Sequence, residues 1–397
     1  MERNCSKHVI TDIKQISTNY NLPLVETYFS RNSDCNCESN YLIYSEYNAA
    51  IYLWKIFPPI LLLLGTVGNV LSILVLRRPT IRKSVCSIYL VVLAITDLLV
   101  LYTGLLRQWI LNTFNVDIRA TSSTACKIHI WILYSSMDYS AWILIAVTID
   151  RVLLIWFPNK MQCICTKKMA VLVLLCIASF LFLINSHILY GYELSTGKTA
   201  NHCDFVSKSY EQFWISSWPS IDLVIFCILP VGFLVVGNIL IFVKVLISRR
   251  TVKRQVSAYN TSSQNQRDSK FSSMTAMLIA VNCVFIVCNI PSRAFMIEHT
   301  SWSFDTCGYN YAKMSLLWCI FNLSMYVNNS VNFLLYIVSG SRFRNEIKKM
   351  FKRRKKQNHI AAALIPNRQM AIQIRNSSDV YTITQNVTLQ RILDSKC

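Results

Sequence analysis

The chain has 397 residues, 53% of them hydrophobic and only 15% charged, whereas a soluble domain carries roughly 25% charged residues. A soluble globular fold is therefore excluded, and long stretches almost free of charge point to a multi-span membrane protein. The net charge of +20 does not point to nucleic acid, because the basic residues cluster between and after the apolar runs, as the positive-inside rule requires of cytoplasmic segments.

Residues 1–49 read as a polar extracellular tail. They contain no apolar core before a small-residue cleavage site, so no secretory signal peptide is expected and the first apolar run acts as the insertion signal. Arg77, Arg78, Arg82 and Lys83 follow that run, which holds its C-terminal end in the cytoplasm and puts the N-terminus outside. Asn4-Cys5-Ser6 is a glycosylation sequon, and Cys5, Cys35 and Cys37 lie in oxidising space where disulfides form.

Seven apolar runs follow, near 50–76, 86–110, 122–156, 168–191, 214–247, 271–298 and 310–338. Segments after the first, third and fifth are basic; those after the second, fourth and sixth mix acids and bases. The expected architecture is all-α: a seven-helix transmembrane bundle over 50–338, with no internal repeat. Residues 339–356 continue as RFRNEIKKMFKRRKK after Ser339-Gly340-Ser341, with Phe343, Ile347, Met350 and Phe351 on one face. That pattern predicts an amphipathic eighth helix on an anionic inner leaflet, with a soluble basic tail as the alternative. Residues 357–397 are polar and read as a disordered cytoplasmic tail.

The third run carries the acid–base pair Asp150-Arg151 near its end, 25 residues after Cys126. At ~1.5 Å per residue this is ~37 Å, about a bilayer with its headgroups. One helix therefore holds a cysteine at one face and an arginine at the other. An arginine deep in lipid costs ~2.5–3.5 kcal/mol or more, so it is kept near water, buried against protein, or used.

Motifs within the runs narrow the class. Gly68-Asn69 lies in the first, Leu93-Ala94-Ile95-Thr96-Asp97 in the second and Asp150-Arg151-Val152 in the third. Pro230 breaks the fifth, Phe285-Ile286-Val287-Cys288-Asn289-Ile290-Pro291 lies in the sixth, and Asn332-Phe333-Leu334-Leu335-Tyr336 ends the seventh. Together, in this order, they make the chain resemble a rhodopsin-family (class A) G-protein-coupled receptor over roughly residues 50–355. The stretch VSGSRFRNEIKKMF is similar to that of invertebrate neuropeptide receptors, including FMRFamide-type ones. The sequence departs from the family pattern at Val152, Asn238, Asn289 and Phe333, and the fourth run lacks its usual Trp. Without Pro at Phe333 the local backbone hydrogen bond can form, and the seventh helix is expected to bend less.

The resemblance implies several sites. Cys126 and Cys203 match the family's disulfide, and Cys307 lies on the same side, open to pairing with Cys35 or Cys37. Cys163 and Cys165 face the cytosol as thiols or palmitoylation sites. Arg151 matches a switch held by Asp150, with Asn332 and Tyr336 as further coupling residues; the alternative is an arginine snorkelling to lipid phosphates. The implied partners are a heterotrimeric G protein and arrestin. Asp97, with Asn69, Ser140, Asn328 and Asn329 around it, matches a small sodium site, or else is a protonated acid in a structural polar cluster. Asn289 would add a polar group just above it.

The outer halves of the helices are expected to hold an extracellular ligand. Arg107, Asp138, Asp222 and Arg293 are charged and within runs, while Trp131, Tyr134, Trp218, Phe295 and Tyr326 either line the pocket or pack between helices. Leu133 stands where amine receptors have Asp, and Tyr326 where opsins have Lys, which argues against both ligand classes. Two arginines and two aspartates suit a zwitterionic or amidated peptide, unless Asp222 and Arg293 simply pair with each other. No zinc-type cluster, nucleotide loop or catalytic triad is present, so no enzyme is expected and no cofactor beyond an allosteric sodium ion. The leading expectation is a peptide receptor at the plasma membrane, embedded in the lipid bilayer. A small-molecule or chemosensory receptor is the alternative. A transporter or channel is a remote one, since no half-to-half repeat is visible.

Overall fold

A computed structural model describes residues 41–196, 201–256, 278–295, 308–340 and 343–350. Among the described residues, six helices are long and apolar enough to cross a membrane: Ser45–Leu76, Cys86–Phe114, Ser123–Trp156, Lys167–Gly191, Trp218–Ile247 and Leu278–Phe295. We call them spans one to six. A seventh helix, Gly308–Ser339, has 32 residues, about 48 Å at 1.5 Å per residue. Asn310, Asn322, Asn328, Asn329 and Asn332 lower its mean hydropathy, and the reason lies in what it packs against. Residues 343–350 form a further helix, in which Lys349 Nζ meets Glu346 Oε1 at 2.8 Å.

The bundle is apolar outside and polar inside. Leu63, Val67, Leu99, Leu175, Leu183, Val236, Ile239 and Val287 are exposed, while Asp97, Ser140, Asn328, Asn329 and Asn332 are buried. A soluble protein does not display so much apolar surface; a helix in lipid does, because its backbone bonds are satisfied internally.

Spans one and seven pack most extensively. Small residues permit this: a Cβ on Gly68 would lie 3.0 Å from Phe333 Cβ, and one on Gly65 would lie 3.1 Å from Ser330 Oγ. Without a hydrophobic drive between helices in lipid, such close backbone approach supplies the attraction. Span seven runs unbroken through Phe333, consistent with a residue that retains its N–H.

Two boundaries differ from expectation. Span two runs on to Phe114 and ends at Asn115, whose φ of 54° is left-handed; asparagine tolerates that conformation better than most residues. The run expected over 214–247 is divided. A separate helix, Lys208–Ser216, ends before Trp218, and Pro219 opens the next segment, where its missing N–H costs nothing. Leu223–Ile228 then forms a widened π turn. It lies just before Pro230, whose ring would clash with the carbonyl four residues back, at Phe226.

An antiparallel hairpin, β1 (Tyr192–Thr196) and β2 (Asn201–Phe205), follows span four, with Leu194 opposite Cys203. The residue pattern over 192–205 does not mark it. Cys203 bonds Cys126 at the outer end of span three, with Cα atoms 5.6 Å apart, in the ordinary range for a disulfide. The sequon, Cys5, Cys35, Cys37, Cys307, the Cys163 side chain, the foot of span six at Arg267-Asp268, Phe351 and the tail over 357–397 lie outside the described residues.

Breaking this bond frees the hairpin from span three. Cys203→Ala is expected to lower stability by ~2–4 kcal/mol, read as a lower thermal midpoint of the purified protein. Peptide mapping without reduction should recover Cys126 and Cys203 as one linked peptide; two free thiols would refute the assignment.

Candidate functional site

The outer end of the bundle is built on local caps. Ser122 accepts a hydrogen bond from Ala125 N at 3.0 Å, starting span three, so Cys126 falls in its first turn. Ser207 accepts from Tyr210 N and starts the Lys208–Ser216 helix. These place Cys126, Ile130, Tyr192, Cys203, Trp214 and Trp218 in one buried cluster. Trp214 stacks on Trp218 with centroids 5.9 Å apart. His187 sits edge-on to Trp218 at 4.2 Å and meets the Tyr210 hydroxyl at 2.8 Å.

Beneath the cluster lies a cavity of about 70 Å³. Its polar walls include Arg107, Arg119, Arg293, Gln108, His129 and Asn322; its apolar walls include Tyr134, Met137, Trp214, Trp318 and Tyr326. Among the described residues no acid lines it. Asp117 stands behind two of the arginines. Its side chain caps the short turn Ile118–Thr121 by accepting from Arg119 N at 3.0 Å. It also accepts from Arg107 Nε and Nη2 at 3.1 and 2.8 Å and from Arg119 Nη2 at 2.7 Å. Burial pushes the Asp117 carboxyl up, but the two guanidiniums outweigh it and hold the group well below the usual carboxylate range. Its stabilising effect is therefore present above the ordinary value near ~4 and is lost only as pH falls from there toward the depressed value.

Arg293 is ion-paired with Asp222 and lies over the Phe226 ring at 4.1 Å. Asp138, one turn further in than Tyr134, accepts from Asn185 Nδ2 at 2.8 Å. Of the nine residues expected in a pocket, Arg107, Tyr134, Arg293 and Tyr326 line the cavity. Asp222 reaches it through Arg293. Trp131 donates to the Phe182 carbonyl, Trp218 belongs to the aromatic cluster, and Phe295 packs on Phe321. Asp138 does not line the cavity and is hydrogen-bonded to Asn185. Arg119 and Asp117 escaped the sequence reading, because a loop has no periodicity to mark which charges turn inward; the run of mixed charge over 112–124 was the only signal.

Midway along the bundle, Asp97 is fully buried. It accepts from Asn332 Nδ2 at 2.7 Å, Asn329 Nδ2 at 2.8 Å and Ser140 Oγ at 3.1 Å. Asn69 donates to the Asn329 carbonyl at 3.0 Å. Asn329 and Asn332 of span seven thus face this carboxylate. Asn328 Oδ1 and Asn332 Oδ1 are buried without a hydrogen-bond partner. Carboxylate, hydroxyl and orphaned amide oxygens are the donor types that fit a hard cation such as sodium. Asn289 does not join this group. It donates to the Phe285 carbonyl of its own helix at 2.8 Å, the nearest acceptor one turn back.

Toward the opposite end of the bundle, Asn282 donates to Thr148 Oγ1 and Asn238 Oδ1, each at 3.0 Å, which ties spans three, five and six. Arg151 Nη2 bonds Asp150 Oδ2 at 2.9 Å, both buried. Burial, and after it the Asp150 carboxylate, pushes the Cys165 thiol up, so it stays protonated. Tyr336 is buried edge-on to Phe343 at 5.5 Å.

Asp97→Leu leaves two amide N–H groups and a hydroxyl buried without an acceptor. At ~1–3 kcal/mol for each, the thermal midpoint is expected to fall steeply. Asp97→Asn keeps an acceptor oxygen and should fall less. Equal losses in the two variants would mean that the three hydrogen bonds do not act as described.

Similarity to known proteins agrees with this geometry. The family model "7 transmembrane receptor (rhodopsin family)" matches residues 68–336. The chain is 24% identical to human G-protein coupled receptor 65 over 250 residues, covering 62% of this chain and 69% of that one. It is 25% identical to the thyrotropin-releasing hormone receptor of Gallus gallus over 338 residues, covering 76% and 80%. It is 23% identical to the FMRFamide receptor of Drosophila melanogaster over 309 residues, covering 71% of this chain and 50% of that one. A multi-span bundle with a bonded outer hairpin, buried motif residues in its spans and a family match over most of its length belongs to the rhodopsin family of seven-transmembrane receptors, and this chain is a member of it.

Proposed function

We propose that the chain is a plasma-membrane receptor, N-terminus outside, that binds a peptide in the outer cavity and activates a heterotrimeric G protein at the opposite face. The observation that carries this is the reach of span three. The same helix bears the bonded Cys126, the cavity residues Ile130, Leu133, Tyr134 and Met137, and the Asp150–Arg151 pair. A rigid helix is a physical link between an outer event and an inner one. Relatives whose names carry peptide ligands, the thyrotropin-releasing hormone, galanin and FMRFamide receptors, favour a peptide over a small molecule.

In this reading the ligand enters beneath the hairpin and meets Arg107, Tyr134, Arg293 and Tyr326, with Asp222 and Asp138 behind and Trp131, Trp218 and Phe295 supporting the walls. Its binding energy shifts the bundle between two arrangements, and it can do so only by its difference in affinity for them. Asp150 holds Arg151 in one arrangement. In the other, Arg151 turns to the G protein, with Asn332 and Tyr336 repacking beside it. Asp97, Ser140 and the orphaned amide oxygens of Asn328 and Asn332 would hold a sodium ion when one is bound, with Asn329 donating to the carboxylate, and the ion would supply a positive charge to balance the buried acid. Arrestin would compete for the same inner face, and the basic residues after span seven would lie on the inner leaflet. The chain performs no covalent chemistry; nucleotide exchange is the G protein's reaction.

Arg151→Ala removes the charge at the inner face while leaving the outer cavity intact. The variant is expected to reach the surface and bind an activating peptide with wild-type affinity. Stimulated nucleotide exchange, read by GTP-analogue uptake, should fall to the basal rate. Wild-type exchange from this variant would exclude the assigned role.

A further inference from the structure

The cluster Arg107–Asp117–Arg119 is not balanced. Two guanidiniums share one carboxylate, which leaves one positive charge. All three side chains are buried; Arg107 is 4% and Arg119 7% exposed. A buried charge without a counter-charge is expensive. Asp117 engages Nε and Nη2 of each arginine. The Nη1 group of each has no hydrogen bond among the described residues, and both arginines line the cavity. The Tyr326 hydroxyl lines it too and is likewise unbonded there; Gly104 makes room for it, since a Cβ at that position would lie 2.5 Å from the oxygen. Arg293 lines the same cavity, but Asp222 matches its charge.

We propose that the Arg107–Arg119 pair, held by Asp117, is a subsite for a carboxylate, so that the ligand of this receptor presents a free acid there and not an amide. The inference rests on the cavity being the ligand site and specifies the chemistry that site reads. Asp117 turns the two guanidiniums so that their remaining N–H edges border one space, and a single carboxylate completes both the charge and the hydrogen bonds. Guanidinium forks suit the planar, two-oxygen geometry of that group. An amide brings a donor against donors and leaves the positive charge unmatched. The acid comes either from a peptide chain end or side chain, or from a small organic acid.

The test uses the full chain in nanodiscs and needs no known agonist. Its probes are matched pairs. One set consists of N-acetylated di- and tripeptides ending in a free acid or a carboxamide. The other consists of arylacetic acids and their amides. Binding is read by the shift in thermal midpoint with concentration. The acid of a binding pair is expected to bind about 30-fold more tightly than its amide or better, as loss of one buried charged contact implies. Arg119→Gln should erase the difference and Arg119→Lys should keep most of it. Preference confined to the peptide pairs assigns the acid to a peptide; preference in both sets assigns it to the carboxylate alone. Equal binding of acids and amides, or binding of neither, overturns the proposal without recourse to the variants. The readout also separates the two ideas. Acid-selective binding with no ligand ever stimulating exchange would keep the subsite and remove the receptor function. Activation by an amide as strong as by its acid would keep the receptor and remove the subsite.

Discussion

The buried carboxylate of Asp97 sets the terms for the interior of the bundle. In hydrocarbon there is no water to receive a polar group, so a carboxylate midway through span two must be answered by other helices. Span three answers with Ser140, and span seven with Asn329 and Asn332. Span one joins through Asn69 on the Asn329 backbone. Four helices are thereby held in one register by a handful of hydrogen bonds. Span seven can then carry Asn328, Asn329 and Asn332, because those residues are buried in the bundle.

The same logic recurs toward each face. At the inner end, Asn282 ties three spans through Thr148 and Asn238, and Asp150 holds Arg151. At the outer end, Asp117 gathers two arginines and Asp222 takes a third. Apolar packing sets the distances between helices, through close approaches such as Gly68 on Phe333 and Gly104 on Tyr326. Polar pairs then decide which approaches are allowed. A receptor interior of this kind has discrete alternatives, since moving one helix means exchanging whole hydrogen bonds.

The altered motif residues are accommodated in ways that follow from their chemistry. Phe333 keeps its backbone N–H, span seven is unbroken, and the ring packs edge-on to Phe343 at 5.8 Å. Asn289 satisfies itself one turn back along its own helix. Asn238 becomes an acceptor for Asn282 and so helps bind span six to span five. At Asn238 and Asn289 an amide acts through the direction of its hydrogen bonds, where a larger apolar side chain would act through volume.

Much of the architecture was written in the sequence, because each helix in lipid must be apolar along its length and basic at its cytoplasmic end. Spans one to four could be read to within a few residues, and the Cys126–Cys203 bond followed from the resemblance to the family. The division of the run over 214–247 at Ser217, before Pro219, was not legible, because hydropathy does not register a bend. The hairpin was not legible either, because its pairing depends on a partner strand and a disulfide across 77 residues. Residue types named the candidates Asp222 and Arg293, but only three-dimensional packing decided that they meet each other. It alone turned Asp117 and Arg119 inward from a loop, where no periodicity constrains which way a side chain faces. Hydrophobicity is a property of the chain taken singly, and the sequence therefore determined where the chain crosses the membrane. Charge pairing is a property of neighbours, and which neighbours meet was decided by the fold.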